Sequence, residues 1–545
     1  MKKFTALFIV IGFSITTYAQ LANVSSQDSV LVHKLHRDAE GKTLAWFKPE
    51  VPGAAYSHVM KLASEFLVNT CPTDEKTGLP LYLVTCCFHK PDLNGNRYVG
   101  EDWPHNPACV YAGIVQSLAI DYYTFSGDQR MIDLTAVMLD YQLGHGTTPA
   151  GWVWEKVPYA SSDPFEKEYQ GATRWEAERY RGDGLHVIEP DKVGELGYAY
   201  LRFYQVTENK IYLDAAINCA NALAKHVRVM PGENSPFIES TTKQSPWPFR
   251  VNARTGTIIS EYCSNIIEPV KLFDELMRLN ERLQLDTATV NSYQRARNIA
   301  WNWLYSRGGP MHTYIWNAYF EDIPNDEEQA NRTQITPGEV ARYLVKNPQA
   351  DKNIEKDVPA LLSWVASVFK TDGYDAIKEQ TWCFEPMGSH TARYGSVCAL
   401  WYEKTGDPHY KEEAFRFLNF ASYMTLPDGF VAVGPNWPGA WFSDGYSDYI
   451  RHFADALAAV PEWSPRGENH LLRSSSVVQS IFYRNDKIDV VTFDDSGSLK
   501  CVLVKKPKQV LIGGINAQFS WQSFKHGGGE LTFTYTNSKK IEIVF

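Results

Sequence analysis

RGDGLHVIEPDKVGELGYAYLRFYQVTENKIYLDAAINCANALAKHV, residues 181–227, is the stretch whose reading decides the fold. Val193, Leu196, Gly197, Tyr200, Leu201 and Tyr204 recur at the i, i+3, i+4, i+7 spacing of one helical face. At ~100° per residue, Asp191, Glu195, Tyr198 and Arg202 line the opposite face. A tight polar turn, Thr207–Lys210, leads into a second apolar-periodic helix. The unit is a loop with carboxylates, a helix with a polar stripe, a short turn and a return helix.

Working outward, the unit recurs six times. Periodicity predicts twelve helices, near 53–70, 107–125, 129–143, 191–206, 210–227, 257–280, 288–306, 337–347, 357–370, 389–404, 408–424 and 446–459. Their connections alternate. SGDQ (126–129), TENK (207–210) and TGDP (405–408) are short, and the links after the sixth and eighth helices are modest. The links at 71–106, 144–190, 228–256, 307–336, 371–388 and 425–445 are long, and long loops in compact domains are usually functional. In an antiparallel helical array, this alternation puts the short turns at one end. Six helix N-termini then face one loop-built mouth at the other. The expected fold is mainly α, an (α/α)6 barrel of six hairpins. An open α-solenoid is the alternative, although its repeats are shorter than the ~50–85-residue spacing here.

From about residue 465 the texture changes. VVQSIFYR, KIDVVTFD and ELTFTYT are β-branched or aromatic runs separated by Asn-Asp, Ser-Gly and Gly-Gly turns. They predict a small antiparallel β-sandwich, either a sugar-binding module or a packing domain that braces the helices. The expected division is a signal peptide at 1–19, a helical catalytic domain at 20–464 and the sandwich at 465–545. Lys2 and Lys3, the apolar run Phe4–Ile15, and Thr17 and Ala19 at the −3 and −1 positions carry the signal-peptide reading. The run is too short to span a membrane, so a periplasmic or secreted bacterial protein is expected.

Net charge is −10, which argues against a nucleic-acid surface. Aromatic residues make up 13% of the chain, with 16 Trp and 30 Tyr, enough to build sugar-stacking surfaces as well as a helical core. The nine cysteines include no zinc-like CxxC pair, and no HExxH, phosphate loop or serine elbow is present. No metal or cofactor is therefore expected.

The long loops are where a site should concentrate. The first carries Asp102, Trp103 and His105, the second Asp183 and Asp191, with Glu195 continuing down the helix. The third carries Trp247, Arg250 and Arg254, a cation–aromatic group suited to a carboxylate, followed by Glu261 and Asn265 on the sixth helix. Thr336–Glu339 reads as a capping box, which makes Glu339 structural. The fifth loop carries Glu385, His390 and Arg393, and the sixth Trp437, Trp441, Asp444 and Asp448. Flat aromatic faces with paired carboxylates are what sugar cleavage needs.

The hairpin pattern over residues 50–460 resembles the six-hairpin glycosidase superfamily. Asp183-Gly184-Leu185, followed by Pro190 and a helix, resembles the D-G-x-x-M-x-x-P stretch of unsaturated glucuronyl and rhamnogalacturonyl hydrolases. The resemblance implies a β-glucuronidase-like hydrolase of uronate oligosaccharides with Asp183 as general acid/base. Glu261, Asp191 or Glu195 would be its partner, and Arg250 or Arg254 would hold the uronate. The alternatives are a polysaccharide lyase with a base such as His105 or His390, and a non-catalytic glycan-binding protein.

Overall fold

The computed structural model describes residues 29–85, 87–89, 99–100, 105–163, 166–171, 184–230, 244–317, 331–371, 373–382, 385–436, 440–442 and 447–545. The signal-peptide reading, Asp102, Trp103, Asp183, Trp437 and Asp444 lie outside them, and Trp441 is described only as backbone.

The described residues are rich in helix and end in a separate sheet region. Twelve α-helices of eight or more residues are present among the described residues: α1 (Ala54–Glu65), α2 (Pro107–Ile114), α3 (Arg130–His145), α4 (Pro190–Thr207), α5 (Lys210–His226) and α6 (Ile267–Arg278), then α7 (Thr287–Leu304), α8 (Ile335–Lys346), α9 (Ile354–Phe369), α10 (Gly388–Thr405), α11 (Pro408–Ser422) and α12 (Tyr449–Ala459). α2 continues through wide i→i+5 turns at Val115–Tyr122 and a last α-turn, Tyr123–Ser126.

The three shortest connections are one device used three times. Each helix stops on a left-handed residue, Gly127 (φ 72°), Glu208 (φ 55°) or Gly406 (φ 74°), whose N–H returns to the preceding turn. A hydroxyl just before it, Ser126, Thr207 or Thr405, donates to the carbonyl four residues back. An Asx side chain then accepts a backbone N–H at the start of the return helix: Asp128 from Arg130, Asn209 from Ile211, Asp407 from His409.

Neighbour contacts follow a cycle. α2 touches α4, α4 touches α6, α6 touches α8, α8 touches α10, α10 touches α12, and α12 returns to the wide turns of α2. Outside this set, α3, α5, α7, α9 and α11 each pack against the helix before them, and α1 packs against α12. The even-numbered helices are the buried ones, α4 and α10 along most of their length.

One helix differs from expectation. The sixth starts at Ile267 rather than 257. Thr257, Ile258 and Ile259 are β-branched and favour strand. Ile258–Ser260 (β3) pairs with Arg250–Asn252 (β2), which pairs with Val187–Ile188 (β1). Pro269 suits the helix's first turn, where no N–H is required.

The C-terminal region forms two antiparallel sheets. The strands are β4 (His470–Ser474), β5 (Val478–Tyr483), β6 (Lys487–Thr492), β7 (Gly497–Leu503), β8 (Gln509–Ile512), β9 (Ile515–Ala517), β10 (Ser520–Ser523), β11 (Gly529–Tyr535) and β12 (Lys540–Val544). Sheet orders are β4-β7-β11-β10 and β5-β6-β12-β8-β9. The region grips the short-turn end of the helices. His470 stacks on Phe125 at 3.8 Å and its Nδ1 lies 2.9 Å from the Phe125 carbonyl. Tyr483 Oη donates to the Thr124 carbonyl at 2.7 Å. Glu403 at the end of α10 receives both Arg473 and Lys500. The apolar cluster is continuous from the helices into the sheets. No helix among the described residues is long and apolar enough to cross a membrane.

Candidate active site

The six even-numbered helices deliver polar side chains to one cavity of about 130 Å³. α4 contributes the stripe read from the sequence, Asp191, Glu195, Tyr198 and Arg202, together with Lys192. α2 contributes Cys109 and Gln116, α6 Glu268 and Lys271, α8 Glu339, and α10 His390 and Arg393. Asp448, just before α12, and Arg451 complete the wall. Five carboxyl and five cationic side chains thus face one small space, so the balance of partners decides each group's state.

One side of the cavity is an ion lattice. Glu339 Oε1 accepts from Arg393 Nε at 3.1 Å and from an Arg451 terminal nitrogen at 2.7 Å. Asp448 accepts from Arg393 and lies 3.2 Å from His452 Nε2. Burial pushes both carboxyls upward, but the guanidiniums around them outweigh it and hold both well below the ordinary range. His390 Nδ1 sits 3.0 Å from Arg393; burial, aided by that charge, pulls its imidazole down to about 3. It is neutral at physiological pH.

The α4 side behaves oppositely. Asp191 is 3% exposed, and its Oδ2 accepts from the Asn265 amide at 3.2 Å. Burial and then the Glu189 charge push it up to about 7. Glu195, one turn deeper, is pushed up to about 8 by burial, then by Glu268, with Lys271 opposing. The cavity therefore holds carboxyls that keep their protons beside carboxylates that do not. This is the division of labour that acid–base chemistry on a sugar uses.

The other sequence-derived candidates are elsewhere. Glu261 is not on the sixth helix; it stands in the loop before it, half-exposed, 2.6 Å from Arg228. Trp247 is 2% exposed and donates to the Leu223 carbonyl at 2.9 Å, so it fills the core and offers no face to a sugar. Arg250 is buried against Glu189, Nε to Oε1 2.9 Å, and Lys192 takes the other oxygen at 2.6 Å. That guanidinium is committed to a buried carboxylate. Arg254 is exposed on the β2–β3 turn. His105 is fully buried, with Nε2 3.4 Å from Tyr111 Oη and its ring edge-on to Tyr169; burial pulls it down to about 3. Glu385 accepts from the Asn436 amide.

Beside Arg393 and Asp448, the cavity holds Glu268, Lys271 and Arg451, which are not among the sequence-derived candidates, and Glu339, which the sequence marks only as a capping residue. Glu339 is no capping residue: α8 starts at Ile335, and Gln334 before it makes no side-chain cap bond. The signal for these residues was the α4 rule itself. Glu268/Lys271, Glu339/Arg342, His390/Arg393 and Asp448/Arg451 all repeat its i, i+3 polar spacing. Among the described residues, no group of His, Cys, Asp and Glu is placed to hold a metal ion.

No protein-family model matches the chain, and the comparison with curated proteins gives no match. Among solved structures, the chain is similar to a D-mannose isomerase, with a TM-score of 0.51 and 11% identity over 75% of this chain and 96% of that one. A cellobiose 2-epimerase from Spirochaeta thermophila follows at 0.49, 10% identity, 74% and 97%. An unsaturated glucuronyl hydrolase specific for heparin follows at 0.44, 11% identity, 75% and 98%. At such identities the likeness to the D-mannose isomerase speaks for the fold alone.

Proposed function

We propose that the protein is a carbohydrate-active enzyme, a glycoside hydrolase whose substrate site is the mouth-end cavity of an (α/α)6 barrel. The barrel domain would end near residue 464. The observation that carries the reading is the set of carboxyls with opposed proton affinities around one sugar-sized space. Glu195, pushed up to about 8, is the proposed proton donor, and Asp191, pushed up less, to about 7, is the second carboxyl, which ionises first. Asp183, which immediately precedes Gly184 and the lead into α4, is the competing donor by resemblance. A uronate sugar is the proposed substrate. The cations that face the cavity, Arg451 and Lys271 among them, would meet its carboxylate in place of Arg250. Residues 1–19 are proposed to export the protein.

The test is a screen of the purified protein against uronate and neutral oligosaccharides, with product masses recorded. Hydrolysis adds one water to the summed products. E195Q should lower kcat by about 10²–10⁴, the usual contribution of a general acid. Wild-type kcat/KM should fall as pH rises through about 8, because the donor must carry its proton. D183N with full activity would exclude Asp183, and E195Q with full activity would exclude Glu195. A second reading, abstraction of a carbon-bound proton by His390, is favoured by that neutral imidazole in the same cavity. It gives cleavage without water, or an isomer of unchanged mass.

A further inference from the structure

The cavity is not the end of the bore. A second chamber of about 150 Å³ lies behind it, toward the short-turn end, with Asp121, Glu275, Lys346 and Asp455 from later turns of α2, α6, α8 and α12. Gln116, Tyr198, Lys271, Glu339 and Arg451 line both spaces, so they form the waist between them. Tyr198 is the only aromatic residue of the five. Lys271 Nζ lies 5.2 Å and the Arg202 guanidinium 5.9 Å from its ring centroid, distances at which cation–π attraction acts. On the adjoining wall, the wide turns of α2 shape the waist. In an ideal α-helix residues five apart point roughly 140° away from each other. Here Gln116 and Asp121 lie on the same side, and the Gln116 amide donates to Asp121 at 2.9 Å. The wide turn is what aligns them.

Along α4, Asp191 and Tyr198 are separated by roughly 10 Å at 1.5 Å per residue, with Glu195 between them. That depth takes about one sugar ring between the carboxyls and the phenol. We infer that Tyr198 is the floor of the substrate cavity and the residue that sets how large a terminal sugar it accepts, with the rear chamber as unused volume behind it. The inference rests on the proposed sugar site. A sugar entering with its non-reducing end foremost keeps its glycosidic bond beside Asp191 and Glu195 and points its 4-position at Tyr198. A substituent there collides with the ring, and removing the ring opens a space about as large again.

The experiment uses the full-length protein and the variants Y198A, Y198L and Y198F, each first checked for a wild-type circular dichroism spectrum. Thermal stabilisation is measured with D-glucuronate and with 4-O-methyl-D-glucuronate, since a ligand that binds the folded state raises its Tm. Wild type and Y198F should be stabilised by glucuronate and at least tenfold less sensitive to the 4-O-methyl ether. Y198A and Y198L should respond to both at similar concentrations. Equal preference in wild type and Y198A overturns the floor assignment while leaving the sugar site intact. A wild type stabilised by neither these sugars nor neutral monosaccharides overturns both. Loss of the wild-type preference in Y198F also overturns it, because the hydroxyl rather than the ring would then be deciding.

Discussion

Glu195 connects stability to pH in a way that isolates a single side chain. Its carboxyl lies among Glu268, Asp191 and apolar helix surface, and it is pushed from an ordinary 4.5 up to about 8. At ~1.4 kcal/mol for each tenfold change in proton affinity, ionising it in the folded state costs at most about 5 kcal/mol relative to the unfolded chain. Between those two pH values the folded protein keeps a proton that the unfolded chain has released. Stability therefore falls as pH rises from about 4.5 to about 8 and levels off above. Glu195→Gln keeps the shape and removes the titration. The variant and the wild type should melt together near pH 4.5, and the variant should melt a few degrees higher at pH 9. Calorimetric scans at matched ionic strength from pH 4.5 to 9 measure the difference, in which the titrations of groups remote from Glu195 cancel. A difference that stays flat with pH, or a variant less stable at pH 9, would refute the placement of a buried carboxyl beside Glu268 and Asp191 in the cavity. Higher stability with lower turnover is what a strained functional group predicts.

Other perturbations test the remaining parts. Arg250→Ala strands Glu189 in the core beside Lys192 alone; it should destabilise by about 3–5 kcal/mol, seen as a large fall in Tm. An unchanged Tm with a tenfold rise in KM for a uronate would instead make Arg250 a substrate ligand. Arg393→Ala removes one of the two guanidiniums, with Arg451, that pair with both Glu339 and Asp448, and should cost a similar amount, against under about 0.5 kcal/mol for an ordinary surface change. Among the left-handed glycines, Gly406→Ala meets no atom within 4 Å and should cost only about 1–2 kcal/mol of backbone strain. Gly429→Ala puts its Cβ 2.2 Å from the Leu62 carbonyl oxygen and should lower Tm far more in the same scans.

The helices were legible because their signals are local. An apolar stripe every three to four residues and a turn such as Thr207–Lys210 need no knowledge of the rest of the chain. The same holds for the α4 polar stripe, since a buried helix must aim its charges somewhere. Periodicity starts the sixth helix ten residues early because Ile258 and Ile259 satisfy it, while their strand pairing with β2 is a tertiary fact. Trp247 and Arg250 are ambiguous for a related reason. A loop segment rich in Trp and Arg reads alike whether it faces a ligand or a core, and only the partners, the Leu223 carbonyl and Glu189, distinguish them. Glu339 fits a capping motif, and that local fit masks its place in the common polar spacing. Charges gathered from six helices form one constellation only after the chain has folded, and no window of sequence contains it.

The pairing of α1 with α12 has a consequence for how the chain reaches this state. The outermost partner of the last even-numbered helix is the first long helix, and residues 66–448 lie between them. At about 5–20 residues per second, α1 waits tens of seconds during synthesis before α12 exists. For that interval the growing arc has two unsatisfied ends, each an apolar helix face open to the wrong neighbour. The seam is the natural place for swapped dimers and for chaperone binding. Assembly finishes late, through contacts of very long sequence separation, which are the slowest kind to find. The sheets that follow α12 and fasten onto Thr124, Phe125 and Glu403 then act as a clasp. They emerge only after α12, and they fasten α2 and α10, the two helices that flank it in the cycle.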